Sequence, residues 1–189
     1  MEIIPYIYLT KQFEKTIVPA LNLQELKEKH QLTNLYIIDR AGIEKNRPRF
    51  CFYQEYAALF DLWIDAGPRI IEDVVDDMFA GANRLVIRFD LWQEKSFVRI
   101  KELTDNEILL AVSLEGVINR KYPLHLLDEI DGIVIFITED HKDVGFKHET
   151  LINQLLEKKP CYIFTHKNLS YWQSRNIKGY LKDITSLEG

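Results

Sequence analysis

Residues 61–88, DLWIDAGPRIIEDVVDDMFAGANRLVIR, decide the fold. Leu62–Ala66 and Leu85–Phe89 are short, nearly continuous apolar runs. Between them Ile70, Val74, Val75, Met78 and Phe79 recur at helical spacing. Unbroken apolar runs, rather than alternating ones, are what parallel strands need when both faces are covered. A helix between two such strands is a βαβ unit.

The pattern continues in both directions. Further strand candidates are Ile3–Leu9, Leu35–Asp39, Ile108–Leu114, Ile133–Thr138, Cys161–Thr165 and Tyr180–Ile184. Helical spacing appears at Leu21, Leu23 and Leu26, at Phe52, Tyr56 and Leu59, and at Phe97, Ile100 and Leu103. Leu151, Ile152, Leu155 and Leu156 give one more helix, stopped before Pro160. Eight strand candidates in 189 residues leave no room for a second domain, so residues 1–189 read as one unit. The expected fold is a compact α/β parallel barrel of (β/α)8 type, smaller than the typical length of about 250 residues. An open doubly wound sheet shares the βαβ unit and is the alternative. The halves also correspond in order: IIPYIYL with ILLAVSL, LYIIDRAGIEKN with IVIFITEDHKDV, and the stretch from Trp63 with the stretch from Tyr162.

Composition narrows the function classes. The chain is 47% hydrophobic and 28% charged, ordinary for a globular protein. A net charge of −5 argues against a nucleic-acid partner, which would call for a basic face. No apolar run approaches the roughly 20 residues that span a bilayer, and MEIIPYIYL has no signal-peptide pattern. With Cys51 and Cys161 outside any CxxC motif, a cytoplasmic protein with two buried thiols is expected. GxSxG, P-loop, GxGxxG and HExxH motifs are absent, so neither a cofactor nor a metal is expected. Asp140, His141, Asp143 and His148 lack zinc-site spacing and read as a solvated loop.

The stretch quoted above resembles the third-strand region of the HisA/HisF family of histidine-biosynthesis barrels. Gly67, Arg69, Glu72, Asp73, Val74, Gly81, Ala82 and Arg84 fit its pattern. MEIIPYIYL is similar to that family's opening strand, LYIIDRAG to its second, VSLEG to its fifth, TEDHKDVGF to the turn after its sixth and SLEG to its ending. In the isomerase branch, aspartates on strands one and five transfer protons during a sugar rearrangement. Here those positions hold Tyr8, a poor base at neutral pH, and Glu115. The glycines that admit phosphate in the turns after strands three, seven and eight are replaced, in the first case by Asp65 and Ala66.

The resemblance therefore implies a divergent HisA-like barrel with an isomerase- or lyase-type reaction on a small metabolite, with one-carbon cofactor biosynthesis as the pathway it suggests, but not the histidine-pathway isomerase. The alternative is a non-catalytic barrel that binds a ligand or partner after its chemistry decayed. In a barrel, chemistry sits at the carboxyl ends of the strands. The candidate catalytic residues there are Asp39, Glu115 and Asp143, and the candidate ligand-binding residues are Asp65, Gly67, Arg69, Arg88, Thr138, Thr165 and His166. Arg69 and Arg88 are the expected anion holders, for a ligand with at most one phosphate. The sequence stops just after the eighth strand candidate, so the last covering helix is expected to be missing. With Phe50, Phe52, Tyr53, Tyr171 and Trp172 read as exposed aromatics, a homo-oligomer, most simply a dimer, is expected.

Overall fold

The computed structural model describes residues 1–10, 22–94, 96–119, 122, 124–137, 146–165 and 169–187. Eight parallel strands close into a barrel in chain order: β1 (Glu2–Leu9), β2 (Asn34–Asp39), β3 (Asp61–Asp65), β4 (Ala82–Arg88), β5 (Glu107–Ser113), β6 (Gly132–Ile137), β7 (Cys161–Thr165) and β8 (Gly179–Asp183). The ring is sealed where β1 pairs with β8, Ile4 opposite Leu181 and Tyr6 opposite Asp183. The closed barrel, and not the open sheet, is the fold. Around it run α1 (Leu23–His30), α2 (Arg40–Lys45), α3 (Phe50–Ala57), α4 (Ile71–Phe79), α5 (Val98–Leu103), α6 (Leu114–Ile118), α7 (Phe146–Lys158) and α8 (Leu169–Gln173).

Continuous apolar strands supply two cores at once. One set of side chains fills the barrel: Ile4, Tyr6, Tyr36, Trp63, Phe136, Tyr162 and Phe164 are buried there among smaller residues such as Val86 and Ala111. Trp63 and Tyr162, from strands on opposite sides of the ring, meet edge to face at 4.8 Å. The alternate set, including Ile7, Ile37, Leu62, Ile87, Leu110 and Ile135, packs outward against the helices.

The amino-terminal end of the barrel is closed by a polar layer. The Trp63 indole donates to Asn34 Oδ1, Asn34 Nδ2 donates to Glu2, and Arg84 stacks on Trp63 while pairing with Glu107. The carboxyl end is thereby left as the face on which side chains can meet a ligand.

Beyond β8 the described chain makes a 3-10 turn, Ile184–Leu187, against β1 and β8. Ile7, Leu9 and Ile184 are buried at this seam, so exposure of the outer β1 face is confined to Met1 and Ile3. The aromatics expected at an interface are largely core: Phe52, Tyr53 and Trp172 are buried, and Phe50 and Tyr171 half-buried. No helix among the described residues is long and apolar enough to cross a membrane.

Candidate active site at the carboxyl end of the barrel

Asp39 ends β2 and caps α2. Its Oδ1 accepts from the backbone N–H of Ala41 and Gly42, and its Oδ2 from the Arg49 N–H at 2.8 Å and the Tyr53 hydroxyl at 2.6 Å. The Arg49 guanidinium lies 3.5 Å from Oδ1. The carboxylate is fully buried. Its lone pairs are taken by the first turn of α2 and by Arg49 and Tyr53 at the start of α3, which leaves none directed at a substrate.

Arg69, expected to hold an anion, is spent in a similar way. Its Nη1 donates to Gly67 O, Gly42 O and Asn46 Oδ1, and its Nη2 to Ile43 O. This guanidinium satisfies the orphan carbonyls of α2 and ties the β2–α2 turn to the β3–α4 turn. The two turns touch closely. A Cβ on Gly42 would come within 2.5 Å of Ala66 O, and one on Gly67, at φ +69°, within 2.8 Å of Leu91. The backbone around Gly67 is packed against protein and has no room for a phosphate.

Asp65 and Arg88 form the centre of the mouth. Asp65 ends β3, fully buried, and receives Arg88 Nε at 2.8 Å and Nη2 at 2.7 Å in a fork-to-fork pair. The Tyr36 hydroxyl donates to Asp65 Oδ2 from below at 3.2 Å. Arg88 lies 4.7 Å over the Phe136 ring. Burial works against its charge, but the adjacent Asp65 carboxylate outweighs that and holds the guanidinium protonated. Its side chain is 25% exposed at the rim, and Nη1 makes no hydrogen bond among the described residues.

Tyr8 stands beside this pair, 41% exposed, its ring edge-on to Tyr6 and Phe164. Burial raises its pKa despite the nearby Arg88, so its hydroxyl acts as a donor and not as a base. On the other side of the mouth, Asp183 accepts from Tyr6 and Thr185. Glu115 is exposed in the first turn of α6, two residues beyond Ser113, whose hydroxyl caps that helix through Gly116 N–H. Neither the Glu115 nor the Asp90 carboxylate makes a hydrogen bond or ion pair among the described residues. Thr165 ends β7, half-buried. Thr138, Asp143 and His166 lie outside the described residues.

The structure thus joins Asp65 and Arg88 and separates them from Asp39 and Arg69, which serve the α2 turn. Tyr36, Arg49 and Tyr53 were not singled out as polar partners, because aromatic and basic residues within apolar runs carry no spacing signal of their own. Eight parallel strands closed into a ring, with helices between them and a fork-paired arginine at the mouth, define the class: a (β/α)8 barrel.

The fold is shared with solved barrels. The chain is similar to the HpcH/HpaI aldolase from Desulfitobacterium hafniense (10% identity, TM-score 0.61, covering 98% of this chain and 88% of that one). It is also similar to dihydropteroate synthase from Xanthomonas albilineans (13% identity, TM-score 0.62, 98% and 88%) and to N-acetylneuraminate lyase from Mycoplasma synoviae (16% identity, TM-score 0.60, 98% and 69%). Identities this low establish a common architecture and nothing about chemistry. No protein-family model and no curated protein matches the chain.

Proposed function

We propose that this barrel is a metabolic enzyme acting on a small metabolite whose single anionic group docks on Arg88. The observation that carries the reading is the Asp65–Arg88 pair. A buried ion pair adds little net stability, since its desolvation cost rivals its attraction. Placed at the strand ends of a barrel, it instead presents a pre-oriented guanidinium edge to a carboxylate or one phosphate. Tyr8 supplies a hydroxyl donor beside that edge, and Glu115 is the free carboxylate for proton transfer in an isomerase- or lyase-type step. Asp39 is a positioning residue in this scheme, because its oxygens are occupied. Tyr8 at the strand-one base position and the packed Gly67 turn both speak against the histidine-pathway substrate, which carries two phosphates. Complementation of a strain lacking that isomerase is therefore expected to fail.

The engaged state of Asp39 favours one second reading, a binding barrel without catalysis. One experiment separates the two. Any small molecule carried through purification is identified by native mass spectrometry, then incubated with the protein in D2O. Deuterium entering a carbon position, slowed by at least about a hundredfold in Glu115→Gln, supports the enzyme. Retention of the ligand with no exchange supports the binding barrel.

A further inference from the structure

On β1 the side chains of Ile4 and Tyr6 fill the barrel, while Ile7 and Leu9 pack outward. The same alternation turns Tyr8 to the inner side, one layer above Tyr6, and strand pairing through Ile38 sets it level with Asp65. Of the described Phe, Tyr and Trp residues only Tyr8 and Phe79 are exposed, and Tyr8 alone of the two lies at the mouth. Tyr6 and Phe164 stand edge-on to its ring at 5.7 and 6.2 Å, and Phe136 adjoins Phe164 at 4.9 Å. Arg88 ends the row, its guanidinium 4.7 Å over the Phe136 ring. One side of the mouth is therefore aromatic from Tyr8 to the free edge of Arg88.

Polar groups at the described strand ends are mostly committed to protein. Asp39 is saturated, and Asp65 holds Arg88 and the Tyr36 hydroxyl. Ser113 accepts from the Gly116 N–H, and Asp183 accepts from Thr185 and Tyr6. A hydroxyl-rich ligand would find few partners there, and each hydroxyl buried without one is costly. Charge narrows the anion as well. Asp65 already offsets the Arg88 charge, so a phosphate monoester, at roughly −1.5 to −2, is compensated less well than a carboxylate. A carboxylate also matches the planar guanidinium edge that carries Nη1. We infer that the metabolite is a small monocarboxylic acid bearing an aromatic ring, with its carboxylate on Arg88 and its ring against Tyr8. This rests on the Arg88 site proposed above and adds the ring to it. An aromatic pair of that kind contributes beyond the area it buries, which a saturated ring of the same size does not reproduce.

The test titrates the full chain with phenylacetate, cyclohexylacetate and acetate, followed by ligand-observed NMR. The ring acids share their charge, and the saturated ring is the more apolar, so burial alone would favour cyclohexylacetate. Wild-type protein is expected to bind phenylacetate saturably, at least about threefold tighter than cyclohexylacetate, with acetate weakest. Tyr8→Leu, at an exposed position, should fold and lose that preference. Tyr8→Phe keeps the ring without its hydroxyl and should retain the preference. Equal or tighter binding of cyclohexylacetate by the wild type would overturn the ring inference and leave Arg88 as an anion holder, as would a preference that survives in Tyr8→Leu. Failure of the Arg88 reading looks different. Phenylacetate, acetate and inorganic phosphate would then bind undiminished to Asp65→Asn/Arg88→Gln, or none would bind the wild type, and both proposals would fall together.

Discussion

Asp39 and Asp65 are two aspartates at neighbouring strand ends, both fully buried, and their surroundings give them different work. Asp39 takes its hydrogen bonds from its own connection; Asp65 takes them from a side chain that reaches the mouth. Asp39→Ala should therefore lower stability by about 3 kcal/mol in urea denaturation, because Tyr53 and three backbone N–H groups lose a buried acceptor. Tyr53→Phe should cost about 1 kcal/mol in the same assay. The sequence marks strand-end carboxylates well, but not which of them is already spoken for, since Arg49 and Tyr53 come 10 and 14 positions after Asp39. The cysteines differ as sharply. Both were expected to be buried; Cys51 is exposed, because it sits on the outer side of α3, whereas burial pushes the Cys161 thiol up to about 12. At pH 8 native protein should react with one equivalent of a disulfide reagent, at Cys51, and with two after unfolding.

At the level of elements, the apolar runs locate all eight strands, and helical spacing finds α1, α3, α4, α5 and α7. The short α2 and α6 are not legible in it. Each starts on a cap that closes a strand, Asp39 or Ser113, and is too brief to show a period. On α4 the pattern of Ile70, Val74 and Met78 turns out rotated: Ile71, Val74 and Asp77 face inward, and Phe79 is 83% exposed. The β2–α2 and β3–α4 turns behave as one block because Arg69 links four acceptors across them. Arg69→Ala should destabilise the fold by about 2 kcal/mol while leaving anion binding at the mouth unchanged. Loss of anion affinity without loss of stability would return Arg69 to the ligand site. Gly42→Ala should also be costly, since the new methyl meets the backbone oxygen of Ala66 and not a yielding side chain.

For the molecule as a whole, the closed barrel was readable because strand–helix alternation and chain length together leave few arrangements. Closure itself depends on the β1–β8 pairing, which no local pattern announces. The aromatics expected to carry a homodimer are mostly core, so the proposed interface lies on other residues. Among the described residues the exposed large apolar side chains are Tyr8 at the mouth, Met1 with Ile3 at the seam, and Ile70 and Phe79 at the two ends of α4 with Val98 and Leu103 on the neighbouring α5. A dimer through the α4–α5 face would show twice 22.3 kDa in light scattering, and Phe79→Ser would return it to 22.3 kDa. Wild-type protein already at the monomer mass would end that proposal. In the proposed function one anion-holding group, Arg88 braced by Asp65, defines the site at the mouth. A crystal structure of the protein soaked in inorganic phosphate tests it most directly. A single bound anion is expected on the rim edge of Arg88, absent from the charge-neutral double variant Asp65→Asn/Arg88→Gln. Phosphates seated instead in the turns after β3 and β7, with none on Arg88, would contradict it.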